Sequence, residues 1–151
     1  MAKSPAHRIP ARIASGDSAC VIGLGRFGTA VATGLEDAGV EVLGIDADPA
    51  LVALLADRLT LAATADATSA TALRQLAVPD FDRVVVGIGV NLEASILVTS
   101  HLIDFEIPNL WVKALSDDHA RILRRLGVAN VVEPELEVGR RLAAELSGPA
   151  E

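Results

Sequence analysis

The run Val21-Ile22-Gly23-Leu24-Gly25-Arg26-Phe27-Gly28 constrains this chain more than any other stretch. It sets a Gly-x-Gly-x-x-Gly turn directly after a short apolar strand and directly before a helix-forming segment. In that context each glycine has its own duty: Gly23 permits a tight turn, Gly25 lets the main chain approach a pyrophosphate, and Gly28 lets helix and strand pack closely. The N–H groups at the new helix start, at the positive end of its dipole, then face the phosphates. The chain is expected to bind a nucleotide.

The alternation that follows sets the fold. Expected strands are Ser18 to Ile22, Glu41 to Asp46, Leu59 to Ala63, Arg83 to Gly87, Leu110 to Val112 and Asn130 to Val132. Helical patterns separate them: Arg26 to Ala38, a segment opened by Asp48-Pro49, Ser69 to Leu76, Asn91 to Phe105, Asp117 to Leu126 and Glu135 to Leu146. Strand and helix in strict turn predict an α/β, Rossmann-like doubly wound sheet, mainly parallel, with helices on both faces. The expected order is 3-2-1-4-5-6, with the ligand in the crevice where the order reverses. At 151 residues the chain is one domain. Its composition is 51% hydrophobic but only 3% aromatic, so the core must be aliphatic, as suits buried parallel strands.

Charge and cysteine usage exclude some classes of function. A net charge of −7 opposes general nucleic-acid binding, which needs a basic face. Cys20 is the single cysteine, so no disulfide forms within one chain, and its place in the first strand marks it as a small core residue. No apolar stretch reaches the roughly 18 residues of a membrane span. Residues 1–17 carry Lys3, Arg8 and Arg12 without the apolar centre of a secretory signal, and they are expected to form a flexible arm. His7, His101 and His119 are scattered, without metal-ligand spacing, and the chain has no tyrosine.

Several residues fall where a nucleotide would lie. Asp46 ends the second strand about 20 residues past the glycine turn, where a carboxylate accepts from the ribose diol and repels a 2′-phosphate, which disfavours NADP. Asp48 suits a helix cap. Asp66, in Asp66-Ala67-Thr68 after the third strand, has two open roles: accepting from an adenine amine, or holding a local turn. Gly87-Ile88-Gly89 clears side chains from the end of the fourth strand. Asn91 either caps the next helix or touches phosphate. Arg26 opposes its helix dipole unless an anion is near, so it either meets a phosphate, in its own subunit or a neighbour's, or reaches into water.

Four segments together resemble one family: the glycine run, Asp46-Ala47-Asp48, Val86-Gly87-Ile88-Gly89-Val90-Asn91-Leu92-Glu93-Ala94-Ser95, and Ile107-Pro108-Asn109-Leu110-Trp111-Val112-Lys113-Ala114. From about Ser18 to Leu146 the chain resembles the nucleotide-binding N-lobe of RCK (KTN) proteins, of the KtrA/TrkA type, which are cytosolic regulators of potassium channels and transporters. The resemblance implies a regulatory subunit without catalysis. It would lie at the inner face of the cell membrane, beneath a potassium channel or transporter subunit. It implies a homo-oligomer, a dimer or octameric ring, with ATP, ADP or NAD(H) in each lobe. By motif, Arg26 reaches the terminal phosphate of a neighbour's ATP, Asp46 holds the ribose, Asp66 sits by the adenine and Lys113 lines the phosphate side. Phe27, Ala47, Ala67, Thr68, Ile88 and Asn91 complete the expected binding set. Glu135 matches a position linked to a divalent cation near the phosphates. Trp111 is expected in the core.

Family members usually continue into a C-lobe, whereas this chain stops at Glu151. The expected organisation is an arm over 1–17, the N-lobe over 18–147 and a tail over 148–151. Two other classes stay open on the residues alone: a fragment of an NAD-dependent oxidoreductase, and a scaffold domain whose glycines serve packing. A ribose carboxylate would equally suit S-adenosylmethionine or a cyclic dinucleotide.

Overall fold

A computed structural model describes residues 17–148. The expected arm before Asp17 and the tail after Gly148 lie outside the described residues. The elements run β1 (Ser18–Ile22), α1 (Arg26–Asp37), β2 (Glu41–Asp46), α2 (Pro49–Leu55), β3 (Leu61–Thr64), α3 (Ala70–Gln75), β4 (Arg83–Val86), α4 (Leu92–Asp104), β5 (Asn109–Lys113), α5 (Asp117–Leu126), β6 (Asn130–Val132) and α6 (Pro134–Leu146). A 3-10 turn, Val78–Asp80, precedes β4.

The strands form one sheet in the expected order, β3-β2-β1-β4-β5-β6. Every pairing is parallel, with Ile22 opposite both Ile45 and Val86. β1 lies between the two halves and is buried along its whole length. The order reverses beside it, so the crossovers leave to opposite faces and a crevice opens at the carboxyl ends of β1 and β4.

Two aliphatic cores hold the layers together. Val21, Leu24, Ala32, Val42, Val52 and Leu55 fill the space between the sheet and α1 and α2. On the opposite face Ile22, Leu43, Ile45, Val84, Val86 and Val112 meet Leu73 of α3, Val98 and Leu102 of α4, and Leu123 of α5. Each such side chain contributes about 1.5–3 kcal/mol on burial, so the core needs few aromatic rings. Phe81 is the one phenylalanine in the buried core. Cys20 is wholly enclosed, and burial pushes its thiol pKa far above the ordinary range, consistent with a packing role.

Most element boundaries fall within a residue or two of the sequence expectation. β3 departs most at its start, which is Leu61 rather than Leu59. Leu59 is a buried plug beneath Gly44, where its Cδ1 lies 2.6 Å from the place a Cβ on Gly44 would occupy. Thr60 is held by Glu36, whose Oε1 accepts from Thr60 N at 2.7 Å, Thr60 Oγ1 at 2.6 Å and Val42 N at 2.8 Å. These hydrogen bonds hold the Glu36 carboxyl below its ordinary pKa although burial opposes the shift.

The second departure is Trp111, which is not a core residue. β5 alternates, with Leu110 and Val112 buried and Asn109 and Trp111 outward. The residue is 42% exposed, since neither α1 nor α6 covers this part of the sheet face. Trp111 lines a groove of about 220 Å³ with Phe27, Val31 and Leu35 of α1, Val85 of β4 and Val132 of β6. α6 follows β6 yet buries none of its residues. Its Val138, Leu142 and Leu146 recur every fourth position and are all exposed, which makes an apolar stripe along one side of the helix.

Candidate functional site

The glycine turn is an interlocked piece of main chain. Gly23 has φ +96°, and a Cβ there would stand 2.9 Å from Gly87 C and Ile88 N. Both conditions require glycine. The turn is tied to both neighbouring strands: Gly23 N donates to Ile45 O at 2.8 Å, and Gly87 N donates to Ile22 O at 2.7 Å. A Cβ on Gly28 would land on the carbonyl oxygen of Gly23, so α1 can sit this close only with glycine at that position.

Asp46 closes the turn from β2. Its Oδ2 accepts from Leu24 N at 2.7 Å and its Oδ1 from Asp48 N at 2.8 Å. A carboxylate offers about four acceptor positions, so each oxygen retains a lone pair for a ligand. Asp48 is the cap of α2, accepting from Ala50 N at 2.9 Å.

Of the five helices that follow, four begin with a side-chain cap, Asp48 for α2, Ser69 for α3, Asn91 for α4 and Ser116 for α5, while α6 has no side-chain cap but carries Glu135 and Glu137 in its first turn. α1 differs. Its N-cap is Gly25, no side chain accepts from its first N–H groups, and no acidic residue lies in its first turn. Unpaired amide donors at a helix start, with the positive end of the dipole, form an anion-binding place.

The cleft measures about 430 Å³, within the usual range of small-molecule sites. Gly23, Gly25, Asp46, Ala47, Asp66, Ala67, Thr68, Gly87, Ile88, Gly89 and Asn91 all line it. The structure therefore brings together most of the residues singled out from the sequence. Asn91 is the cap of α4, accepting from Ala94 N at 3.0 Å. Asp66 makes the local turn: its Oδ1 accepts from Thr68 N at 3.0 Å and Thr68 Oγ1 at 2.6 Å. Those bonds hold its carboxyl below the usual carboxylate range, the Thr68 hydroxyl contributing most. Both fall on Oδ1, so Oδ2 stays available at the cleft wall.

Other expected residues stand outside this lining. Arg26 is exposed on the first residue of α1. Gly28 lies beneath the turn. Phe27 and Lys113 line the Trp111 groove, where Lys113 Nζ sits 5.6 Å above the Phe27 ring. The same Nζ lies 3.9 Å from where a Cβ on Gly89 would stand, so the lysine bridges groove and cleft. Glu135 is exposed in the first turn of α6. Among the described residues no three acidic, histidine or cysteine side chains are grouped to hold a metal ion.

The structure adds Leu51, Ala65, Val90, Ala94 and Val98 to the lining. Ala94 and Val98 follow Asn91 at three and seven positions, one face of a helix, which is the sequence signal that points to them.

A parallel sheet reversing at β1, a glycine turn at the reversal and a carboxylate at the end of β2 define a Rossmann-like α/β domain. Residues 19–134 match the TrkA-N domain, and the chain belongs to that family. It is 39% identical over 127 residues to Ktr system potassium uptake protein A of Bacillus subtilis, a match covering 84% of this chain and 57% of that protein. Over 126 residues it is 36% identical to the protein of that name from Vibrio alginolyticus, covering 83% of this chain and 57% of the relative. The chain thus spans a little over half the length of these relatives. The GsuK channel bound to NAD has the same fold, with a TM-score of 0.76 at 14% identity over 92% of this chain and 25% of that one. GsuK bound to ADP gives 0.72 at 21% identity, over 91% and 35%. Among the described residues no helix is long and apolar enough to cross a membrane.

Proposed function

We propose that this chain is a nucleotide-sensing regulatory subunit of a potassium channel or transporter, binding ATP, ADP or NAD(H) without turning it over. The observation that carries this reading is the uncapped start of α1 beside Asp46 in the cleft. The amides of the first turn receive the phosphates, Asp46 receives the ribose diol, and the Asp66–Thr68 loop lies along the adenine. The relatives named for potassium uptake, and the GsuK structures bound to NAD and to ADP, support the same ligand class and the same setting. The membrane partner would be a potassium-conducting subunit, with this chain at the inner face of the membrane.

The open sheet face and α6 suit a second copy of the chain. The α6 stripe of one copy would lie in the Trp111 groove of the other, and a two-fold axis would make the exchange reciprocal. The charges agree: Glu133, Glu135 and Glu137 open α6, while Arg83 and Lys113 border the groove. Leu142→Glu is expected to convert a dimer or larger ring to monomers, read by sedimentation velocity. An unchanged sedimentation coefficient would remove α6 from the interface.

Regulation requires that ligands differ in affinity for two arrangements of the assembly. ATP and ADP differ by one charged phosphoryl group, and Arg26 stands exposed at the phosphate end of the turn, placed to reach across to a neighbour's ligand. In Arg26→Ala the affinity for ATP should fall about tenfold more than that for ADP, a coupling of the usual size of about 1–3 kcal/mol. Calorimetry with both nucleotides checks this, and equal losses would exclude a terminal-phosphate role. For the broader reading, ATP, ADP or NAD(H) at about 100 times its Kd should raise stability by about 2.7 kcal/mol in a thermal-shift series. No shift with any of them would overturn it.

A further inference from the structure

We propose that His119 is a positioning residue of the cleft, resting on the nucleotide reading above: it fixes the spacing between Lys113 and the first turns of α4 on the phosphate side. The histidine is only 1% exposed, yet it belongs to none of the expected binding segments. It is the third residue of α5, after the cap Ser116, which accepts from its N–H at 3.1 Å. That is where Glu or Gln usually reaches back to main chain before a helix. Here the ring does so: Nδ1 accepts from Leu115 N at 2.8 Å.

An amide N–H only donates, so Nδ1 must be unprotonated and the ring proton belongs on Nε2. Nε2 lies 3.1 Å from Ser95 Oγ, itself fully buried on α4. Burial also lowers the His119 pKa and favours this neutral form.

One ring thereby ties two walls. Leu115 lies two residues beyond Lys113, whose neighbour Ala114 is already held by N–H donation to Val132 O at 2.8 Å. Ser95 lies one turn beyond the cap Asn91, between Ala94 and Val98 of the cleft lining. Between the tethered segments Lys113 Nζ approaches Gly89. Loosening either tether changes where the lysine stands relative to the phosphates. The adenine side, anchored separately by His101 Nε2 on Thr68 O at 2.9 Å, is left as it was.

The test compares the parent chain with His119→Leu, which keeps the space filled, and His119→Gln, whose amide can accept from Leu115 and donate to Ser95. Calorimetry uses ATP and adenosine. In H119L the ATP affinity should fall about tenfold while that for adenosine changes less than about twofold, and H119Q should hold ATP within about threefold of the parent. Hydrogen exchange of the Leu115 amide, read without ligand, should be at least about tenfold faster in H119L and parent-like in H119Q. Equal losses for ATP and adenosine, no loss at all, or unchanged exchange in H119L would each overturn the proposal. If H119L fails to fold, Ser95→Ala carries the same ATP and adenosine comparison with the same criteria. A parent chain that binds neither ATP nor adenosine overturns the positioning role, and the nucleotide reading falls with it only where ADP and NAD(H) also give no thermal shift.

Discussion

Gly28→Ala will leave most of the chain unfolded, whereas Gly25→Ala will fold with nearly the parent's stability. The two sites are three residues apart in one motif, so the contrast isolates local geometry. A Cβ on Gly28 meets the carbonyl oxygen of Gly23 and lies 2.8 Å from its carbon. That neighbour is main chain and cannot rotate aside. Nor can Gly23 retreat, because its own φ is +96° and it already abuts Gly87 and Ile88. Relief requires α1 to lift off the sheet, opening the core around Val21, Leu24 and Ala32. The expected cost exceeds about 4 kcal/mol, comparable with the whole stability of a marginal domain. At Gly25 nothing lies within 4 Å of an added Cβ, and φ is −72°, which alanine adopts freely. Its effect should appear in ligand affinity, since Gly25 faces the cleft. Urea denaturation of both variants, with parallel ATP titration, gives the comparison. Equal midpoints for G28A and the parent would show that α1 does not pack as closely as described.

This geometry explains what could be read from residues alone. The sheet order was legible because each apolar strand alternates with a helix, and four of those helices are announced by caps, Asp48, Ser69, Asn91 and Ser116, of the side-chain types that favour those positions. The cleft was largely legible because glycine at 23, 25, 87 and 89 leaves a visible gap in the side-chain sequence where main chain must be bare.

What was hidden depends on partners distant in sequence. Leu59 looks like the first residue of a strand until Gly44 makes room for it below α2. Trp111 sits on an alternating strand and reads as core. Its exposure follows from α6 not covering the sheet, which no local pattern announces. His119 looks like an isolated histidine until α4 carries Ser95 to it across 24 positions of chain. Asp66 shows the opposite case: its turn with Thr68 is local, so it was readable as one of two roles, and the structure shows the turn in place.

The largest effect on binding is expected at Asp46, and the difficulty is that this carboxylate already has structural work. Asp46→Ala strips the acceptor from Leu24 N, a partly buried donor held at 2.7 Å, which should cost about 1–3 kcal/mol of folding stability. A lower ATP affinity in D46A would therefore be ambiguous, because the glycine turn itself would be looser. A ligand-side deletion resolves it. ATP and 2′,3′-dideoxy-ATP differ only in the two hydroxyls that Asp46 is proposed to receive, and each bond to a charged acceptor contributes about 1.5–3 kcal/mol net of competition with water. The parent should prefer ATP by about thirtyfold or more, and in D46A the two ligands should bind within about threefold of each other, the cycle cancelling any shared loosening of the turn. If the preference persists in D46A, the diol is held by another group. If the parent shows none, Asp46 builds the turn and leaves the sugar to solvent, and recognition rests on the amides of α1 alone.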